Sequence, residues 1–278
     1  MPKQRLDALL VERSLTPSRQ QAQRLIQAGE VRVNGQVVDK VGTPVDVTAT
    51  IALAAKPPYV SRGGEKLAKA LAVFPLTVSN RICLDGGIST GGFTDCLLQA
   101  GAQQVYGVDV GYGQVDWKLR TDPRLILKER VNLRYLTPAD LYGDRPQEDY
   151  ADLGVVDVSF IALSKVFPAL WSLLQPPREL ITLIKPQFEV GRERVGKKGV
   201  VRNSGDQADA IAGVLKSAQT LGWQVQGLTW SPLTGPSGNV EYLAWFTMAV
   251  ETPDQNQPLT WERSQILDLT DQAQSALK

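Results

Sequence analysis

Apolar positions in the first 55 residues repeat at helical spacing and then switch to alternation. Leu6, Leu9 and Leu10 recur on one side of residues 5–12, and Ala22, Leu25 and Ile26 do so on a second segment. Thr16 and Pro17 fit the cap and first turn of that second helix, and Gly29 fits its stop. Val31-Arg32-Val33 then alternates, Asn34-Gly35 is a hairpin turn signal, and Val37-Val38 returns. Val45, Val47 and Ile51 are expected to close a small sheet. Pro57-Pro58 bars helix and favours an extended spacer. Beyond it, apolar runs at 81–85, 104–109, 125–127, 153–157, 180–184 and 242–249 alternate with helical stretches. That alternation predicts a mostly parallel, doubly wound α/β sheet with helices on both faces. The expected organisation is a small α+β domain over 1–55, a linker over 56–63, a Rossmann-like domain over 64–250 and a tail over 251–278. In the tail, Trp261, Ile266, Leu267 and Leu269 are compatible with one docking helix.

Composition narrows the chemistry. Among 278 residues there is no histidine, which removes imidazole acid–base catalysis, His-dependent nucleophiles and His-ligated metals. The two cysteines, Cys83 and Cys96, have no metal or disulfide spacing and are expected to be reduced thiols; no metal site is expected. No apolar stretch reaches membrane-spanning length and the N-terminus does not resemble a signal peptide, so a cytoplasmic protein without membrane partners is expected. The net charge of +1 hides an asymmetry: residues 1–69 carry 11 basic against 6 acidic side chains, and the remainder 19 against 23. A basic N-terminal module suggests an anionic partner. Arg5, Arg19, Arg24 and Arg32, with Ser18, are its candidate phosphate contacts, because guanidinium forks suit phosphate oxygens.

In the second module, Asp85 ends the first strand and Gly86-Gly87-Ile88-Ser89-Thr90-Gly91-Gly92-Phe93 opens a helix. Asp109-Val110 ends the next strand. Glycines permit close approach of backbone to a ligand, and the second acid suits ribose hydroxyls. The paired glycines do not fit the spaced pattern of NAD enzymes. A carboxylate at Asp85 favours a cationic cofactor such as S-adenosylmethionine over a pyrophosphate, and a methyltransferase over a dehydrogenase. Gly191–Lys197 matches most of a phosphate-binding loop, but Lys198 stands where Ser or Thr would hold magnesium and no helix-forming run follows. Residues 190–202 therefore read as a mobile basic loop near the site, with Arg192, Lys197 and Lys198 as candidate RNA contacts, joined by Arg62. Four charged residues stand at predicted strand ends or domain entry: Lys66, Asp157, Lys185 and Glu241. Each alone reads as an ion pair. Together, beside a glycine-rich cofactor loop, they match the Lys-Asp-Lys-Glu tetrad of RNA ribose 2′-O-methyltransferases. In that reading Lys185 is the base and Lys66 its partner, or the reverse, while the carboxylates orient the amines.

Two resemblances extend the reading. R-L-D-A-L-L with S-R-Q-Q-A-Q-R-L-I-Q-A-G-E-V-R-V-N-G resembles the S-four-type RNA-binding domain. The stretches S-R-G-G-E-K-L, L-D-G-G-I-S-T-G-G-F-T-D, G-V-D-V-G-Y-G-Q, E-R-V-N-L-R, D-V-S-F-I, I-K-P-Q-F-E and G-N-V-E-Y-L resemble the TlyA (haemolysin A) family, which is similar to FtsJ-type methyltransferases. The resemblance implies 2′-O-methylation of cytidine in small-subunit and, in some members, large-subunit ribosomal RNA. It also implies S-adenosylmethionine contacts at Asp85–Phe93, Asp109-Val110 and Asn132, with ribosomal RNA or a subunit as partner. Members often show Val-Gly-Ala-Ser where this chain has Gly86-Gly87-Ile88-Ser89. Two other readings are a membrane-lytic haemolysin and a non-catalytic RNA-binding assembly factor.

Overall fold

The computed structural model describes residues 2–54, 57–248 and 261–277. The chain divides into two compact units, 1–57 and 58–278.

In the first unit, β1 (Lys3–Arg5) leads into α1 (Leu6–Glu12), followed by α2 (Arg19–Gln27), β2 (Val31–Val33), β3 (Gln36–Val37), β4 (Pro44–Asp46) and β5 (Ile51–Leu53). Leu6, Leu9, Leu10, Ala22, Ile26, Val31 and Val45 form its core. Asn34 and Gly35 take φ of 49° and 83°, the left-handed pair a two-residue hairpin needs. Two local expectations fail. The cap of α2 is Ser18, whose Oγ accepts from the Gln21 backbone N–H, and not Thr16. The N–H groups of Leu15 and Thr16 turn back to the Leu10 carbonyl, so these residues still belong to the end of α1. Val45 does not join the hairpin sheet either. It pairs antiparallel with Gln4 in a separate ribbon, β1–β4, while β3, β2 and β5 form the three-stranded sheet.

The second unit runs α3 (Gly63–Val73), β6 (Ile82–Gly86), α4 (Gly92–Gln99), β7 (Gln104–Asp109), α5 (Trp117–Arg120), β8 (Leu125–Glu129), α6 (Pro138–Tyr142), β9 (Leu153–Val156), α7 (Phe167–Leu173), β10 (Glu179–Ile184), α8 (Pro186–Glu189), α9 (Ser204–Gln219), β11 (Trp223–Trp230), β12 (Tyr242–Met248) and α10 (Arg263–Ala276). Its seven strands order as β11-β12-β10-β9-β6-β7-β8. Five are parallel; β12 is antiparallel to β10 and to β11. Alternate residues feed opposite faces, as strand geometry requires. Leu84, Val156 and Ile184 pack with α7, α9 and α10. Cys83, Val155 and Leu183 pack with α3 and α4.

Sequence order reverses between β6 and β9, so the switch-point crevice lies beyond their carboxyl ends. Because β12 is antiparallel, its start reaches the same edge: Ile184 pairs with Tyr242, which brings Lys185 and Glu241 level. Strand β11 was not among the expected runs. Within the stretch set apart as a tail, α10 packs on α9, with Ile266, Thr270 and Ala273 buried; residues 251–260 lie outside the described residues. Of the expected linker, Pro58 O accepts from Gln99 Nε2, and Val60 N–H donates to Asp95 Oδ2, which fastens both residues to α4. Among the described residues no helix is long and apolar enough to cross a membrane.

Candidate active site

Three cavities meet at the carboxyl edge of the sheet. The first, about 330 Å³, is lined by Gly87, Ser89, Asp109, Val110, Gln114, Asn132, Asp157, Phe160 and apolar side chains including Val108, Leu133 and Ile161. Gly87 has φ of 89°, and a Cβ there would stand 2.5 Å from the Asp157 carbonyl oxygen. Only glycine lets the two strand ends approach this closely. The Asp109 carboxylate is pinned on both oxygens, by Ser89 N–H at 2.8 Å and Gly111 N–H at 2.7 Å. Each oxygen retains a further lone pair for a ligand hydroxyl. Asn132 is fixed by accepting from the Arg134 N–H.

Not every residue of the glycine-rich segment faces this cavity. Thr90, Gly92 and Phe93 line the second cavity, together with Arg62, Lys66, Gly87, Ser89 and Asp157. Asp85, Gly86 and Gly91 line none of the three. Asp85 is completely buried under the turn, where its Oδ2 accepts from Thr94 Oγ1 at 2.6 Å. Its other oxygen has no partner, and burial pushes its pKa up to about 7. Gly86 instead admits Leu133, and Gly91 caps α4 at φ of 97°.

The four charged residues form one cluster. Lys66 Nζ donates to Glu241 Oε2 at 2.5 Å, both groups buried. Lys185 Nζ stands 2.5 Å from Asp157 Oδ1 and donates to Ser159 Oγ at 2.8 Å. The Asp157 contact lies off good hydrogen-bond geometry, so it is chiefly coulombic. Lys66 and Asp157 line the second cavity, while Lys185 and Glu241 line the third with Ser159, Phe160, Phe188, Val195, Gly199 and Asn239. Each ion pair thus crosses from one cavity to the next, and Asp157 also reaches the first. Sequence reasoning missed Gln114, Ser159 and Phe160 as wall residues. For Phe160 the signal is conformational: it is 90% exposed at φ of 63° and packs against Phe188.

The candidate RNA contacts fall into two groups. In the first unit, Asp7 is wholly buried and accepts from Arg5 at 3.0 and 3.1 Å, from Arg19 at 2.8 Å and from Gln23 at 3.0 Å. These donors, Arg5 foremost, hold its carboxyl far below the usual range. About half of each of the Arg5 and Arg19 side chains stays open to solvent. Arg24 and Arg32 are exposed, and Arg32 donates to the Gly35 carbonyl; the Ser18 hydroxyl is engaged as a cap. In the second unit, Arg62, Arg192, Lys197 and Lys198 are exposed.

Residues 59–248 match the FtsJ-like methyltransferase family model, and residues 4–51 match the S4 domain. A Mycobacterium tuberculosis protein named 16S/23S rRNA (cytidine-2′-O)-methyltransferase TlyA is 48% identical over 243 residues, 87% of this chain and 88% of that one. Hemolysin A of Brachyspira hyodysenteriae is 40% identical, covering 87% of this chain and 99% of its own length. A solved structure from Streptococcus thermophilus, also named as a hemolysin, superposes with a TM-score of 0.72 at 41% identity, covering 99% and 97% of the two chains. With a Rossmann-like unit and an S4 unit before it, this chain belongs to the FtsJ-like methyltransferases, in the TlyA (haemolysin A) group.

Proposed function

We propose that this protein transfers a methyl group from S-adenosylmethionine to the 2′-hydroxyl of a cytidine ribose in ribosomal RNA, in the cytoplasm. The observation that carries this reading is the two Lys–carboxylate pairs, Lys66–Glu241 buried and Lys185–Asp157 part-buried, beside the switch-point cavity. The cavity suits the cofactor. Apolar walls and a few fixed polar groups are what a nucleoside pocket requires, and Gly87 on its wall lets the β6 end pack against the Asp157 backbone. Asp109 would take the ribose hydroxyls, Asn132 and Leu133 would flank the base, and Asp157 would stand near the sulfonium. When bound, the cofactor supplies a methyl group already activated for attack.

The chain's own residues handle the acceptor. The ribose hydroxyl must lose its proton as it attacks in line, and it must be held at near-attack distance. Lys185, once it has released its own ammonium proton to solvent, takes that proton. Asp157 stabilises the ammonium so formed, and Ser159 fixes its direction. Lys66, anchored by Glu241, holds the attacking oxygen from the neighbouring cavity. The S4 unit supplies the sequence-distant grip on RNA, through guanidiniums that Asp7 fixes in place.

The test is transfer of labelled methyl from S-adenosylmethionine to purified ribosomal subunits, followed by nucleoside analysis. The label is expected in 2′-O-methylcytidine. Lys185→Ala is expected to cut the rate by about 10²–10⁴-fold, as loss of a general base does, with cofactor affinity retained. RNA binding without any transfer would favour the assembly-factor reading.

A further inference from the structure

We propose that Asn239 is a positioning residue: it clasps the strap 195–202 beside the third cavity, so that Lys197 and Lys198 meet backbone phosphates next to the reacting nucleotide. This rests on the reading above, since it takes the third cavity to receive RNA.

Asn239 is 2% exposed, and its amide is used at both ends. Its Oδ1 accepts from Val201 N–H at 2.9 Å, and its Nδ2 donates to the Gly199 carbonyl at 2.8 Å. A buried amide satisfied twice by one stretch of backbone fixes that stretch in place. Two more amides complete the fastening: Gln207 Nε2 donates to Val201 O at 2.7 Å, and Gln274 Nε2 donates to Arg202 O at 2.9 Å. Gly199, Val201 and Arg202, at the end of the basic loop expected over 190–202, are thus each held by a side-chain amide.

The held conformation is an unusual one. Lys198 and Gly199 stand at φ of 75° and 74°, and a lysine in that region persists only where its surroundings impose it. The clasp does this at the edge of the catalytic cluster. Val195 and Gly199 wall the same cavity as Lys185 and Glu241, and Asn239 itself lies two residues before Glu241. Among the described residues, the ion pairs of the strap region go to Arg194, not to Lys197 or Lys198. Two exposed ammonium groups without carboxylate partners, at the mouth of an RNA site, suit phosphate oxygens.

The experiment compares wild type, Asn239→Ala, Lys197→Gln/Lys198→Gln and the triple variant. Binding to purified ribosomal subunits is measured across salt concentrations, with S-adenosylmethionine affinity measured alongside. Asn239→Ala is expected to weaken subunit binding about 10-fold and to lower the salt slope by about 1–2, the loss of one or two phosphate contacts. Cofactor affinity stays unchanged, and the substitution adds nothing in the Lys197→Gln/Lys198→Gln background. An equal loss in both backgrounds with an unchanged slope, or no loss at all, overturns the proposal. Should Asn239→Ala not fold, an unchanged slope in Lys197→Gln/Lys198→Gln overturns it by itself. Absence of methyl transfer by wild type would remove the function proposed above, while the binding comparison still decides the role of Asn239.

Discussion

Lys66 and Glu241 bury opposite charges against each other, with 9% and 1% of their side chains exposed. Removing one partner strands the other. Lys66→Ala is therefore expected to destabilise the fold by about 3–5 kcal/mol, read as a lower midpoint in denaturant. Replacing the pair by Lys66→Met/Glu241→Leu should recover most of that stability and none of the methyl transfer. Persistent instability of the double variant would mean the pair is not the cause. Asp85 offers a second test at this scale. Burial raises it from the ordinary 3.8 to about 7, so the folded state binds its proton more tightly than the unfolded chain does. Its contribution is fully present below about pH 4 and is lost as pH rises to 7. Glu189, also raised to about 7 by burial, acts in the same direction. Denaturant midpoints at pH 5 and pH 7.5 should show wild type losing stability across this interval and Asp85→Asn losing less. An identical loss in the variant would contradict the assignment.

At the scale of elements, the turn from β6 into α4 depends on glycine where strands β6 and β9 diverge. Gly87→Ala must place a Cβ against the Asp157 carbonyl in a left-handed conformation. Calorimetry should show cofactor affinity falling at least 10-fold, and unchanged affinity would remove Gly87 from the cofactor wall. The same turn shows what a sequence reveals. Buried parallel strands are continuous apolar runs, so β6, β7, β9 and β10 were legible, as were the Asn34-Gly35 hairpin and the charged residue at each strand end. Strand β11 alternates as Trp223, Val225 and Leu228, but a bulge between Val225 and Gly227 breaks its period. Strand β1 has no apolar residue at all; it forms because β4 lies beside it. Asp85 was read as a ligand contact because it ends a strand, yet its side chain turns under the helix to Thr94. Ser159 and Phe160 carry no local pattern. Only the meeting of three chain segments makes them walls of the site.

Over the whole molecule, the two units have separate hydrophobic cores, one built on Leu6, Leu10 and Ile26, the others on the two faces of the seven-stranded sheet. A fragment of residues 58–278 is therefore expected to fold and to keep cofactor affinity. Its binding to ribosomal subunits should be weaker by at least 10-fold and less sensitive to salt, because the S4 guanidiniums are gone. Equal affinity of fragment and full chain would deny the S4 unit that role. The four charged residues of the proposed catalytic cluster lie in the second unit, and the S4 match lies in the first. The most direct measurement of the central claim is mass mapping of ribose methylation in ribosomal RNA from cells that lack this protein, carry it, or carry Lys185→Ala. The account predicts a 2′-O-methylcytidine present only with the wild-type chain. The same methylation pattern in all three would contradict it.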